Sequence, residues 1–251
     1  MFPNQNMDPS APSNIKQTQI YCINFNDPER RIKMSNRFGL IGLMPHFTEP
    51  VYDTDPRISA IDFAKYPHMV PRTSSIMLQH LDSLRHFVET ADPSIEFCMV
   101  CEDDVLISRN FIQEYETVMK HWQLLNLDVL LLGCLPYFRL YEGAEWYEYL
   151  ATTTDDKHRI FRHPDHLWGS QMYVVSRKWA EYLYKTYTVE YAQHHPELPH
   201  NPDWIITKMG RRAMVYPMLA MEEGDTKSGD NSQQDFHQHV FLEHYDQTRY
   251  F

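Results

Sequence analysis

The sequence has no apolar run near the length needed to span a bilayer. Met1 to Gln19 lacks the basic start and apolar core of a signal peptide and is instead rich in Pro, Asn, Ser and Gln. A flexible tail over residues 1–19 and a soluble, cytoplasmic protein are therefore expected. Positive charge is short: Lys and Arg number 23 against 34 Asp and Glu. That balance argues against a binder of nucleic-acid backbones, which presents a basic face. It leaves room for a nucleotide whose charge is met by a metal. Cysteine is sparse, with Cys22, Cys98, Cys101 and Cys134 all in apolar, strand-like segments. Cys98 and Cys101 have CxxC spacing, but in a strand they face opposite sides, and no second pair follows at zinc-finger spacing. Buried free thiols are expected. Also missing are a Walker loop, a GxGxxG after the first strand, a GxSxG elbow and any internal repeat.

What is present suits one large α/β domain. The chain has 251 residues, enough for a sizeable core, and 14% aromatics, which fits a globular enzyme. Its most informative stretch is Glu96 to Leu106, an apolar run that ends in Glu102, Asp103 and Asp104. Buried strands of α/β sheets read as continuous hydrophobics, and ligands bind beyond their carboxyl ends. Three adjacent carboxylates repel one another, and a hard divalent ion with oxygen ligands is the natural partner.

Ile20 to Phe25 reads as the first strand, followed by Asp27 as N-cap, Pro28 at the first helical position and a helix to Arg37, with Gly39 as its stop. This places Asn24, Asn26, Arg30 and Arg31 at the sheet's carboxyl edge, where a nucleotide would sit; a surface helix with solvated arginines is the alternative. A short strand is expected near Phe47 to Tyr52. Met77, Leu81, Leu84 and Val88 recur at helical spacing in a helix from Pro71 to Thr90, with His80 read as packed rather than metal-binding.

Ser108 is read as the cap of a helix to about His121, and Leu127 to Gly133 as a buried strand. Pro136 to Asp156 gathers Tyr137, Phe138, Tyr141, Trp146, Tyr147 and Tyr149 among Glu142, Glu145 and Glu148. It reads as a sugar platform or as a covering flap. Trp168-Gly169-Ser170 precedes a strand from Gln171 to Val175, and Ser176 caps a helix from Arg177 to Tyr187. Asn201-Pro202-Asp203-Trp204 opens a short helix; Asp203 there is a helix-start acid or, facing the metal strand, a general base. Ala213 to Pro217 is read as the last strand. Beyond Met221 a polar tail carries His237, His239 and His244, either solvated or metal-binding. Strands alternating with helices predict a largely parallel sheet.

Four blocks in order resemble glycosyltransferase family 25, which includes lipooligosaccharide and collagen galactosyltransferases. They are Ile23-Asn24-Phe25-Asn26 with Glu29-Arg30-Arg31; Glu102-Asp103-Asp104-Val105-Leu106; Trp168-Gly169-Ser170 through Tyr173 with Ser176-Arg177-Lys178; and Pro202-Asp203, with Pro217 and Leu219 beyond. Gln79-His80 stands where the family has Ser-His, and Phe25-Asn26 where it has Leu-Asp. The resemblance implies a GT-A-type, Rossmann-like, mostly parallel sheet flanked by helices in a single domain over residues 20–251. It further implies Mn²⁺ or Mg²⁺, a nucleotide-diphosphate sugar donor (UDP-galactose or UDP-glucose) and inverting hexosyl transfer to a hydroxyl of a glycan or glycoconjugate. On this reading Asp104 ligates the metal. Glu102 shares its face of the strand as a second ligand, or contacts the donor ribose or sugar, while Asp103 points away and braces neighbouring backbone. Asn24 and Arg31 meet the donor nucleotide and phosphates, Trp168, Gly169 and Ser170 border sugar and acceptor, and Asp203 is the general base. Two alternatives stay open: an inactive nucleotide-sugar-binding module and a metal-dependent phosphotransferase or nuclease.

Overall fold

The computed structural model describes residues 13–137, 140, 147–224 and 231–251. Residues 1–12 of the expected tail lie outside these, as do Phe138, Tyr141, Glu142, Glu145 and Trp146 of the aromatic stretch. The ten strands among the described residues are β1 (Thr18–Ile23), β2 (His46–Thr48), β3 (Phe97–Cys101), β4 (Val105–Ile107), β5 (Val129–Leu135), β6 (Glu148–Thr152), β7 (Arg159–Arg162), β8 (Trp168–Ser176), β9 (Arg212–Tyr216) and β10 (Ala220–Glu222). Among the described residues, eight of them form one sheet in the order β2-β1-β3-β8-β5-β9-β7-β6, and β4 pairs with β10 in a second.

The α/β class with a large central sheet is as expected, and the register shows the sheet to be mixed. β1 runs parallel to β2 and β3, and β5 parallel to β9. β8 lies antiparallel between β3 and β5, and β6 and β7 form an antiparallel hairpin at the edge. Because β8 is reversed, its first residues lie beside the carboxyl ends of β3 and β5, with Cys101 opposite Met172 and Leu135 opposite Trp168. That reversal brings two distant motifs to one edge.

Helices cover both faces. α1 (Pro28–Leu40) starts as read: Asp27 accepts from the backbone N–H groups of Glu29 and Arg30, and Pro28 needs no donor at that position. It continues through Gly39 to Leu40, since Met34 and Phe38 are fully buried and packing holds the last turn. α2 (Pro56–Ser59) is one turn, capped by Asp55. α3 (Pro71–Thr90) has the expected bounds. α4 (Phe111–Leu124) begins at Asn110; Ser108 accepts from the Asn110 N–H one step upstream of the helix. Ser176 caps α5 (Arg177–Thr186) by accepting from Trp179 N–H. α6 (Val189–His194) and α7 (Pro202–Ile205) follow.

The core splits across the sheet. Cys98 and Val100 pack with α3 and α5 on one side, Met99 and Cys101 with α1 and α4 on the other. All four cysteines are free and buried, with Cys98 and Cys101 on opposite faces as strand alternation requires. Residues 13–19 are ordered, as a 3₁₀ turn at Asn14–Gln17 leading into β1, so structure starts before the expected boundary at residue 20. The polar segment after Met221 is not a tail either. It completes β10 and, beyond residues 225–230, forms α8 (Asn231–His244). Among the described residues, no helix is long and apolar enough to cross a membrane.

Candidate active site

β3 ends at Cys101, so the strand alternation used to assign Glu102, Asp103 and Asp104 stops one residue too early. The three acids occupy a turn between β3 and β4, and each finds a different partner. Glu102 accepts a hydrogen bond from the Ser170 hydroxyl at 3.0 Å. Asp103 accepts from Asn24 Nδ2 at 2.6 Å and from Arg30 Nη1 at 2.7 Å. Asp104 Oδ2 receives the same guanidinium nitrogen at 3.3 Å, while its Oδ1 is buried without a hydrogen-bond partner among the described residues.

The second sheet brings a fourth acid. β4 and β10 pair so that Glu222 lies opposite Val105, and Glu223 N–H donates to the Asp104 carbonyl at 2.9 Å. Glu222 is buried and held by His237 Nδ1 at 2.7 and 2.8 Å from its two oxygens, and by Gln171 Nε2 at 3.3 Å. The fifth, Asp203, stands in the first turn of α7 and accepts the Gly169 N–H at 3.0 Å. Three consecutive residues at the start of β8 thus hold three carboxylates: Gly169 on Asp203, Ser170 on Glu102, Gln171 on Glu222. The Trp168-Gly169-Ser170 stretch read as a loop is the first turn of pleat in β8 itself.

Crowding these acids has an electrostatic consequence. Burial raises the Glu102 carboxyl well above its usual range, and the charges of Asp104, Asp203 and Glu222 add to the rise. Asp104 is pushed up to about 7, first by burial and then by Glu222, with Arg30 pulling the other way. Burial also raises Asp203, against the lowering effect of Gly169 N–H, Lys208, the Ser170 hydroxyl and His237. His237 is raised by its bond to Glu222. The cluster is a sink for positive charge, ringed by Arg30, Lys208 and His237.

Gly169 is dictated by geometry. Its φ is +113°, and a Cβ there would overlap the Gln171 amide oxygen and lie 2.9 Å from the Leu135 backbone nitrogen. Trp168 remains 44% exposed and meets Trp204 edge-to-face at 5.4 Å, forming an indole wall beside Asp203. Asn24 is buried, with Oδ1 accepting Asp27 N–H and Nδ2 donating to Asp103, so it fixes the turn into α1.

Arg31 is placed differently from the rest. Its guanidinium lies over the Phe47 ring at 4.8 Å, and Arg30 is the arginine that reaches the acids. One residue is about 100° around a helix, so adjacent arginines cannot serve one face. Arg37 and Lys33, further along the Arg30 side, both pair with Glu223. His80 is fully buried, bonded through Nδ1 to Tyr173 OH at 2.9 Å and lowered to about 3 by burial, a packed histidine as read. His239 packs on Tyr137, and His244 bonds Tyr216 OH and the Pro136 carbonyl. Of the three C-terminal histidines, His237 is the one that faces the acids. Sequence reasoning missed Glu222 and Lys208, and of the two arginines at the sheet's edge it chose Arg31 over Arg30; no local pattern over Ala220 to Glu222 marked a further strand.

Among the described residues, no three His, Cys, Asp or Glu side chains are gathered as a ready metal cage. A magnesium-like ion needs none, since one or two carboxylates together with substrate phosphates commonly hold it. The buried, unpartnered Asp104 Oδ1 beside a half-neutralised acid cluster fits that mode.

The fold and site define an α/β protein with a deep acidic centre at the carboxyl edge of its sheet. Over residues 86–195 the chain matches the model of glycosyltransferase family 25 (LPS biosynthesis protein). The match takes in Glu102–Asp104 and Trp168–Ser170 and bears out the resemblance drawn from the motifs. The matched segment is less than half of the chain, and its similarity to that family supports a glycosyltransferase. No curated protein matches it.

Proposed function

We propose that the protein transfers a hexose, galactose or glucose, from a UDP-sugar to a hydroxyl of a glycan or glycoconjugate, with inversion and with a divalent cation bound. The observation that carries this reading is the cluster of Glu102, Asp104, Asp203 and Glu222, which burial and mutual repulsion leave short of positive charge. Asp104, with Glu102 beside it, would hold Mn²⁺ or Mg²⁺. A bound divalent ion supplies Lewis-acid stabilisation of the diphosphate leaving group.

The chain's own residues do the rest. Arg30 pairs with Asp103 and Asp104, and with a divalent ion on Asp104 its guanidinium would be available to the donor's phosphates. Asn24 fixes the loop that aims it. Trp168 offers an exposed indole to a sugar face, while Gly169 and Ser170 hold Asp203 and Glu102 in register. Asp203 takes the acceptor hydroxyl proton as that oxygen bonds to the anomeric carbon and the bond to the diphosphate oxygen breaks. Burial raises its proton affinity toward the working pH, which suits a general base.

A panel of nucleotide sugars, screened by thermal melting with Mn²⁺ and again in chelator, tests the reading. One UDP-hexose is expected to raise the melting temperature only with metal present, since binding to the folded state adds to apparent stability. Equal stabilisation in chelator would remove the metal, and no stabilisation by any UDP-sugar would remove the donor.

A further inference from the structure

Lys208 is a buried lysine whose ammonium has no hydrogen-bond partner among the described residues. Desolvating an ammonium is expensive, and proteins seldom do it without a compensating contact. Here the compensation is aromatic: Nζ lies 3.4 Å from the Trp204 ring centroid and 5.4 Å from that of Trp168. An ammonium over an indole face is attracted by the ring quadrupole, more strongly when water is excluded. Those two tryptophans flank Asp203, one as its chain neighbour and the other as the neighbour of Gly169, whose N–H holds the carboxylate.

We infer that Lys208 is a positioning residue for Asp203: its ammonium pins the two indoles that border the carboxylate and presents a positive charge to it. The inference rests on the reading of Asp203 as the base. The charged groups around Lys208 are Asp203 on α7, Asp165 and His163 between β7 and β8, and Arg212 on β9. Arg212 donates to the Lys208 carbonyl and pairs with Asp165, so Asp165 is already engaged. Asp203 is thereby the acid left for the Lys208 charge. On its other sides Asp203 meets Ser170, Glu102 and His237. Burial lowers the Lys208 ammonium to about 8, which makes its charge state readable in solution.

Two readouts test this. The first uses the protein alone: indole fluorescence of the wild type should change with a midpoint near pH 8 as the ammonium loses its proton, and K208R and K208M should be flat through that range. The second follows UDP release from UDP-galactose or UDP-glucose with Mn²⁺ and a glycan acceptor mixture. K208M should lower kcat about tenfold or more through misplacement of the base, with donor KM within roughly twofold, and K208R should restore most of the loss. W204F, which removes the indole nearest the ammonium and leaves Trp168, should weaken the fluorescence transition and lower kcat in the same direction, and it stands in for K208M should that variant fail to fold. A wild-type signal that is flat around pH 8, a transition that persists in K208M, or wild-type kcat in K208M or W204F would overturn the inference. D203N separates the two claims. Full turnover in D203N removes the base itself, whereas lost turnover in D203N beside wild-type turnover in K208M removes Lys208 alone. If no UDP is released by the wild type, the donor reading fails and the fluorescence transition alone decides whether the ammonium stands on the indoles.

Discussion

Replacing Asp104 by Asn should make the metal-free protein more stable and the enzyme inactive, and the pH dependence of the first effect can be worked from the structure. Asp104 titrates at about 7 in the fold instead of 3.8. Each pH unit in that interval corresponds to about 1.4 kcal/mol, so ionising Asp104 in place has a ceiling of about 4 kcal/mol. Arg30 offsets part of this, and Glu102, raised by burial, relieves part of the repulsion by holding a proton itself. A gain of about 1–2 kcal/mol in D104N at pH 8 is the reasonable expectation, about 2–8 °C in Tm for a domain this size.

The sign is definite. The folded state holds the proton more tightly than the unfolded chain, so wild-type stability falls as pH rises from about 4 through about 7. D104N, which cannot ionise, escapes that fall. The assay is thermal melting of both proteins in chelator at pH 5 and pH 8. The variant should melt higher by a margin that is small at pH 5 and grows about two- to threefold by pH 8. Added Mn²⁺ with the UDP-hexose should then stabilise the wild type and leave D104N unmoved. A variant that is less stable at pH 8, or equally stabilised at both pH values, would refute the account of Asp104 as a frustrated carboxylate.

Three further outcomes follow from the same geometry. D203N should retain metal-dependent donor stabilisation and lose transfer by roughly 100- to 10,000-fold, the usual worth of a general base; measured transfer near the wild-type rate would remove that role. G169A, which puts a Cβ at φ +113° against Gln171 and the Leu135 backbone, should cost about 2–4 kcal/mol in denaturant unfolding, and a cost under about 0.5 kcal/mol would contradict the close approach. His237 bonded to Glu222 is raised above its ordinary value, so the contact stabilises α8 fully below about pH 6.5 and is lost as pH rises through the higher folded value. Amide exchange in α8 should quicken across that window in the wild type and show no such step in H237Q.

Local signals carried a good part of the architecture. Asp27-Pro28, Ser176 and Asn201 mark helix starts because a short polar side chain can satisfy orphan N–H groups within three residues. The helix over Pro71–Thr90 was legible from its apolar spacing, and the strand ending near Glu102 from its unbroken hydrophobic run. Where reading failed, the cause is specific. Alternation placed Glu102 and Asp104 on one face, but the strand stops at Cys101. Arg30 and Arg31 are equivalent in sequence, and only the rotation of α1 on the sheet turns Arg30 to the acids and Arg31 to Phe47. The histidine-bearing segment past Met221 is mostly polar, so nothing local revealed that one of its residues closes the site.

What the chain determines by itself is the charge at the tip of β3: three adjacent carboxylates cannot continue an apolar strand, so they fall at its carboxyl end. What the tertiary structure decides is their company. The reversed direction of β8 lays Gly169, Ser170 and Gln171 against Asp203, Glu102 and Glu222, and the β4–β10 pairing carries Glu222 to Asp104 across more than a hundred residues of chain. Strand direction and long-range register follow from which apolar faces pack together, a global minimisation that no short window of sequence contains.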